Sequence, residues 1–434
     1  MRNKRNLLIL FVFLGFNLMA QTELSLQQAI TIAIQHNYDI QMARVEAGIS
    51  ATSNSYGNAG FLPSVNFIAS TNSSNYNTKQ EFNTGALVDR KNALSQSLNS
   101  SFALNWTLFD GMKMFATKDK LEAMEAQGQT HLKTEMETLV SKVIVLYFDV
   151  VRLQQLLKAT NEAMRIYVER EKFAQKKLEL GSGSKLDLLQ AKVDLNAQKS
   201  ILLRLNMTIG NAIISLNELL TKVSTDTYTV EDRITLDEHL ALSDLKQNTL
   251  THNTELQFAN RNVNIANYTL REIKSSALPQ VGVNLNYNLT KTKNQVGLIL
   301  LNQNLGMNVG LSASWNLFNG YKSRTQISGA RASIELSNLA YQRTVSWVDA
   351  SLQKAWRGYQ NSLDILKLEE ENIGVAKENV TVALERFRLG TSNTIELMLA
   401  QRSYEDALTR LVSARYEAKL SETALLRLQG QLVK

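Results

Sequence analysis

The residues able to do chemistry in this 434-residue chain are few and dispersed. Its four histidines, His36, His131, His239 and His252, form no ligand motif, and two of them occupy equivalent places in two similar stretches, which suits a turn role. There is no cysteine, so thiolate metal sites, thiol nucleophiles and disulfide frameworks are excluded together. Gly181-Ser182-Gly183-Ser184 lacks the Gly-Lys-Ser/Thr ending of a phosphate loop. The methionines fall mostly at seam positions of helical patterns, where core packing is expected rather than a copper path. Two acids stand out instead. Asp187 and Glu396 each lie six residues after a glycine, near the start of a helical pattern where the macrodipole favours negative charge. Catalysis finds no support, and no metal or cofactor is expected.

What positions those acids is a chain with only two prolines, Pro63 and Pro279, each preceded by leucine. Almost nothing interrupts helices or strands, which favours very long elements over a loop-rich enzyme. Residues 1–20 read as a signal peptide: Arg2, Lys4 and Arg5 precede an apolar run from Leu7 to Phe16, and Ala20 offers a small residue at the cut. Its removal takes three positive charges from a formal net charge of +7, leaving a balance too mild for nucleic acid. No later segment reads as a transmembrane helix, so the exported chain is periplasmic, secreted, or built into an outer membrane as strands.

The chain repeats itself. His36-Asn37-Tyr38-Asp39-Ile40 matches His252-Asn253-Thr254-Glu255-Leu256, and Leu62-Pro63 matches Leu278-Pro279, both at an offset of 216. Trp106-x-Leu108-Phe109-Asp110-Gly111 matches Trp315-x-Leu317-Phe318-Asn319-Gly320, and Leu180-Gly181 matches Leu389-Gly390, at an offset of 209. Repeat one is placed at 21–225 and repeat two at 226–434. In each, a heptad seam such as Leu132, Met136, Leu139, Val143, Leu146, Val150, Leu153 and Leu157 indicates a coiled-coil helix, running from Met112 to Leu180 and again from about Tyr321 to Leu389. Shorter helices are expected over Leu24–Tyr56, Lys185–Lys222, Asp237–Ser275 and Thr394–Leu432. Two short helices stacked end to end match one long one in length, which predicts a tall rod of paired helices.

Four segments alternate as strands, at 61–70, 98–109, 279–290 and 306–318, with 71–97 and 291–305 as hairpin loops. Their polar faces carry Asn, Ser, Thr and Gly and no charge, and their lengths approach the roughly 9–11 residues of a tilted membrane strand. Trp106 with Phe109, and Trp315 with Phe318, fall where an interfacial aromatic girdle belongs. A soluble antiparallel sheet with one wet face gives the same alternation. If the strands cross a membrane, four of them cannot close a barrel, so subunits must share one. The apolar stretch from Val296 to Leu301 is expected to pack locally.

Two tandem copies of helix, strand pair and long helical hairpin in an exported chain resemble the TolC-like outer-membrane efflux protein family. The most specific marks are the Leu-Pro strand openings, the Trp-x-Leu-Phe-Asp/Asn-Gly corners, and the tips 180–187 and 389–396. The resemblance implies an α+β membrane protein: a homotrimer with a twelve-strand barrel in outer-membrane lipid, four strands per protomer, continued by a coiled-coil helical tunnel through the periplasm. It implies a periplasmic adaptor (membrane fusion) protein and an inner-membrane pump, proton-driven or ATP-driven, as partners in export of small molecules or polypeptides. The tip residues Leu180, Gly181, Ser182, Gly183, Ser184, Leu389, Gly390, Thr391 and Asn393 become adaptor-docking candidates. In such relatives the gate uses a tyrosine and an arginine where this chain has Phe387 and Ser392, so gating here rests on other contacts. Asp187 and Glu396 are then a candidate acidic ring favouring cations, with solvated helix-end acids as the plainer reading. A soluble periplasmic coiled-coil scaffold or adaptor-like protein is the alternative function.

Overall fold

A computed structural model describes residues 23–223, 228–237 and 240–433. The signal segment and His239 lie outside the described residues. The elements are β1 (Glu23–Leu24), α1 (Leu26–His36), α2 (Tyr38–Ser53), β2 (Ser64–Glu81), β3 (Leu87–Phe109), α3 (Lys113–Glu179), α4 (Lys185–Leu220), β4 (Thr229–Val230), α5 (Leu242–His252), α6 (Thr254–Ser275), β5 (Gln280–Asn294), β6 (Leu301–Ser314), α7 (Lys322–Arg388) and α8 (Thr394–Leu428). Apart from the two-residue strands, which pair in parallel, the same order occurs twice.

The long helices α3 and α7 have 67 residues each, on the order of 100 Å. The expected single helices over Leu24–Tyr56 and Asp237–Ser275 are each broken, at Asn37 and Asn253. The backbone of both asparagines is extended, so each ends one helix and caps the next. Asn37 Oδ1 accepts from Asp39 N at 2.9 Å while its Nδ2 donates to Leu219 O at 3.1 Å. Asn253 Oδ1 accepts from Leu256 N at 2.9 Å while its Nδ2 donates to Leu428 O at 2.9 Å. Hydrophobic periodicity does not record such a break, because the apolar face resumes on its far side.

These bonds also define the packing. Each asparagine ties the start of an upper helix to the end of a lower one, so α2 stacks on α4 and α6 stacks on α8. Along one protomer the lateral order is α2/α4, then α3, then α6/α8, then α7. The largest core gathers around α1, α3 and α4, where Val143, Tyr147, Val150, Leu216 and Leu220 are buried and Tyr147 OH donates to Leu24 O at 2.8 Å. Smaller clusters follow the α7–α8 pair, one of them around Phe387, Leu397 and Tyr404.

The four-stranded antiparallel sheet has the order β2-β3-β5-β6. Its strands are longer than the alternation predicts, and most of the segments expected as loops are paired: Ser64 faces Asn105 and the ladder continues to Glu81 opposite Leu87. The charged residues Lys79, Asp89, Lys291 and Lys293 lie in these extensions, where their chemistry reads as loop. Charge marks the distance a strand travels beyond the apolar band, not its end. A register shift falls between Tyr76 and Thr78, close to Asn92, whose φ is 57°. In repeat two β6 stops at Ser314, so Trp315 and Phe318 lie just past the strand. Leu298, Ile299, Leu300 and Leu301 are exposed in the protomer, contrary to the expected local packing. Of the methionines in the described helices, Met114 is buried and Met136, Met164 and Met398 are half-buried, while Met42, Met124 and Met207 are exposed, so core packing holds for only part of them.

The strand-to-helix corners explain the repeated glycines. Gly111 and Met112, like Gly320 and Tyr321, are consecutive left-handed residues that turn the chain sharply into α3 and α7. A Cβ on Gly111 would stand 2.4 Å from Ser275 O, so only glycine fits.

Candidate functional site

Both helical hairpins end in the same cap. Gly181 and Gly390 adopt φ of 72° and 76°, and Ser182 N and Thr391 N donate back to Lys177 O and Arg386 O at 3.0 and 2.9 Å. Ser184 caps α4, accepting from Leu186 N at 3.1 Å, while Ser182 Oγ donates to Lys177 O at 3.3 Å. Asn393 caps α8, accepting from Glu396 N at 2.9 Å. Gly183 permits a close approach of the turn to α3, since a Cβ there would meet Lys177 Cβ at 2.7 Å. Leu180, Leu186, Leu389 and Ile395 project into solvent around these turns.

The charges are arranged unequally. Glu396 pairs with Arg386 at 2.5 Å and accepts from Ser392 Oγ at 2.7 Å. Among the described residues Asp187 has no such cation; it accepts from Thr394 Oγ1 at 3.2 Å, which links the two tips. Arg388 bridges Glu385, at 2.6 Å, and Glu169 on α3, and its hydrogen bond to Glu169 holds its pKa above the usual arginine range. Phe387 is buried in the α7–α8 core, 5.4 Å from the Phe173 ring, and Lys177 Nζ lies 5.0 Å from both ring centroids.

Above the tips a polar layer that the sequence reading missed crosses α3, α4 and α8. Arg170, almost fully buried, pairs with Asp194 at 2.8 Å and approaches Gln401 Oε1 at 3.4 Å. Gln198 Nε2 donates to Tyr167 OH at 3.2 Å and to Glu405 Oε2 at 2.9 Å. Burial pushes up the pKa of both Glu405 and Tyr167. Such a layer joins the two hairpins and fixes their register, because an apolar partner cannot satisfy these groups. Its signal was present: Ala163, Tyr167, Arg170 and Ala174 keep the four-three spacing of the seam with polar side chains in two of its places.

The sequence model of the outer membrane efflux protein family matches residues 29–221 and 245–431, once for each repeat. This chain belongs to the outer membrane efflux protein family. It works in the outer membrane in transport, which sets aside the soluble scaffold. The chain is 20% identical over 342 residues to the outer membrane efflux protein BepC of Brucella suis biovar 1, covering 76% of this chain and 71% of that protein. It is 18% identical over 425 residues to the protease secretion protein PrtF of Dickeya chrysanthemi, covering 95% and 89%. The solved structure of the outer-membrane channel OprN superposes with a TM-score of 0.78 at 19% identity, covering 93% of this chain and 89% of that one.

No helix among the described residues is long and apolar enough to cross a membrane, and the sheet is fastened to the helical part through two indoles. At its inner rim Trp106 Nε1 donates to Phe61 O at 2.9 Å and Trp315 Nε1 donates to Ala277 O at 3.0 Å, the same bond in both repeats. Each indole anchors the strand pair to the turn that carries Leu62-Pro63 or Leu278-Pro279, while its ring, like those of Phe109 and Phe318, stays exposed.

Proposed function

We propose that three copies of this efflux protein close into one conduit, a twelve-strand barrel above a twelve-helix tunnel, through which an inner-membrane pump and a periplasmic adaptor export small molecules or polypeptides. The observation that carries this reading is the chemistry of the two lateral ends of the protomer. At one end α2 exposes Tyr38, Met42, Val45 and Ile49, and α4 exposes Leu186, Val193, Met207 and Ile214, the latter four at steps of seven or fourteen residues. At the other end α7 exposes Leu336, Leu339, Leu368, Val375 and Val382. Two apolar seams of heptad spacing at opposite ends suit a ring in which each copy's α2/α4 stack packs on the next copy's α7.

Internal repetition supports the same pairing. Inside the protomer, α6 meets α3 where Arg261 Nε donates to Thr130 Oγ1 at 2.8 Å and Gln127 Nε2 donates to Asn262 Oδ1 at 2.6 Å. The counterparts of Gln127 and Thr130 on α7 are Leu336 and Leu339, and the counterpart of Arg261 on α2 is Val45. Leucine and valine exposed at those places have a partner only in a neighbouring copy. The unpaired edges of β2 and β6 close in the same ring.

The tips form the periplasmic mouth, and their exposed leucines and isoleucine offer the adaptor an apolar contact. The gate is held by Arg386–Glu396–Ser392 and by Arg388 bridging to α3, in place of the tyrosine and arginine links of other relatives. Phe387 supports this from the core behind it. Asp187 is the acid left to act on passing ions, since Glu396 is already neutralised. Membrane fractionation followed by planar-bilayer recording tests the reading: outer-membrane protein that inserts as trimers with discrete conductance is expected. A protein that stays monomeric in detergent and conducts nothing would overturn it.

A further inference from the structure

The joint between α8 and α6 is incompletely filled. Where α8 ends and α6 begins, flanked by α3 and α7, a cavity of about 670 Å³ opens, within the roughly 300–1,000 Å³ that takes small organic ligands. Glu137 of α3 lines it and is 2% exposed. Its Oε2 accepts from Thr254 Oγ1 at 3.4 Å, while its buried Oε1 has no hydrogen-bond partner. Leaving a buried carboxyl oxygen without a donor is costly, and Glu137 is among the residues that line a space a donor could enter. Trp347 of α7 supplies an aromatic wall to the same cavity, with Ala355 and Leu420 as apolar lining.

Among the described residues the corresponding joint of repeat one does not carry the same groups. The counterparts of Glu137, Thr254 and Arg427 are Ser346, Tyr38 and Glu218. The acid is gone, and a phenol ring replaces the small side chain that leaves room. The cavity is therefore peculiar to the joint of repeat two, not a consequence of the tandem plan.

The geometry points to a binding site inside each protomer for a small aromatic cation carrying a primary ammonium group, its ammonium donating to Glu137 Oε1 and its ring lying against Trp347. The other charged groups around the acid are Glu255 on α6, which favours a cation, and Arg427 on α8 with Lys133 on α3, which oppose it. Arg427 is partly engaged, its Nη2 lying 3.4 Å from Thr138 Oγ1. Burial raises the Glu137 pKa to about 7, so an arriving ammonium competes with a proton and binds more tightly as pH rises through neutrality.

Calorimetric titration of the full-length protein in detergent with benzylammonium chloride tests the site. One saturable site per chain is expected, at least tenfold weaker in Glu137→Gln and at least tenfold weaker when benzyl alcohol replaces the amine. Thr254→Tyr keeps the acid and fills the cavity with the side chain of repeat one, and it should abolish binding; should Glu137→Gln fail to assemble, this variant decides. Unchanged affinity in either variant, or no saturable binding to the wild type, overturns the proposal. Bilayer conductance is read on the same samples, so loss of the site and failure of the channel reading are distinguishable.

Discussion

At the tip of repeat one Lys177 lies over the rings of Phe173 and Phe387, whereas its counterpart in repeat two, Arg386, pairs with Glu396. The backbone turns are alike, down to the left-handed glycine and the bonds that cap it. What differs is where the basic side chain goes, and that decides which acid's charge is compensated: Glu396 has a paired cation, and Asp187 has none among the described residues. The same contrast recurs along the helices. The α3–α6 contact inside the protomer is polar, with Lys120–Glu272 at 2.5 Å and Arg271–Asp119 at 2.8 Å. The equivalent faces of α7 and α2 expose leucine, valine and isoleucine. Duplication thus made two surfaces of one shape, and substitution made one of them internal and polar, the other external and apolar.

The largest effect expected from breaking this contrast is loss of the oligomer. Leu336→Asp with Leu339→Asp buries charge at the outer seam, costing about 3 kcal/mol or more per copy, and should leave monomers in size-exclusion chromatography. Gln127→Asp with Thr130→Asp, at the equivalent inner face, should still assemble.

Next comes Glu137 of α3, the acid at the joint between α8 and α6. Folded, Glu137 holds its proton to about pH 7, because burial disfavours the carboxylate; the ordinary value is 4.5. The folded state then binds more protons than the unfolded one across that window, so stability falls as pH rises from about 4.5 to 7. The loss above pH 7 is about 3 kcal/mol. Glu137→Gln should flatten the melting temperature over this range and leave it unchanged at pH 4.

Smaller again is the contrast between the two basic tip residues. Exposed ion pairs contribute about 1 kcal/mol or less each, yet three copies act together at one mouth. Arg386→Ala should raise the open fraction in bilayer recordings several-fold, while Lys177→Ala should alter it less. The smallest effect concerns the acids themselves. Asp187→Asn should reduce cation preference measurably in reversal-potential experiments, and Glu396→Gln should reduce it less. Equal effects would mean that Arg386 does not neutralise Glu396 in the assembled channel.

Much of this was legible in the residues. The long helices, both tip turns and the strand openings at Pro63 and Pro279 follow from periodicity, glycine placement and scarce proline, and each proline directly precedes its strand. The breaks at Asn37 and Asn253 were not, because a capping asparagine inside a continuing apolar face leaves the pattern undisturbed. Strand length was underestimated because charge was taken for loop. Phe387, a gate candidate through the family resemblance, lies buried among the α7–α8 seam residues of the protomer. The layer around Arg170 and Glu405 shows only when the four-three spacing is followed through polar side chains, since its members hold seam positions that apolar periodicity skips. The open site at Glu137 depends on four helices meeting across both repeats, which spacing within one repeat cannot show.

The chain's lack of cysteine gives a direct test of the ring. Val45→Cys and Leu339→Cys are introduced together, and intact outer membranes are treated with a short bismaleimide cross-linker before denaturing electrophoresis. The α2/α4 stack of one copy packing on α7 of the next predicts a ladder of dimers and trimers that ends at the trimer and vanishes in either single variant. Exclusively monomeric protein under the same treatment would contradict the shared tunnel.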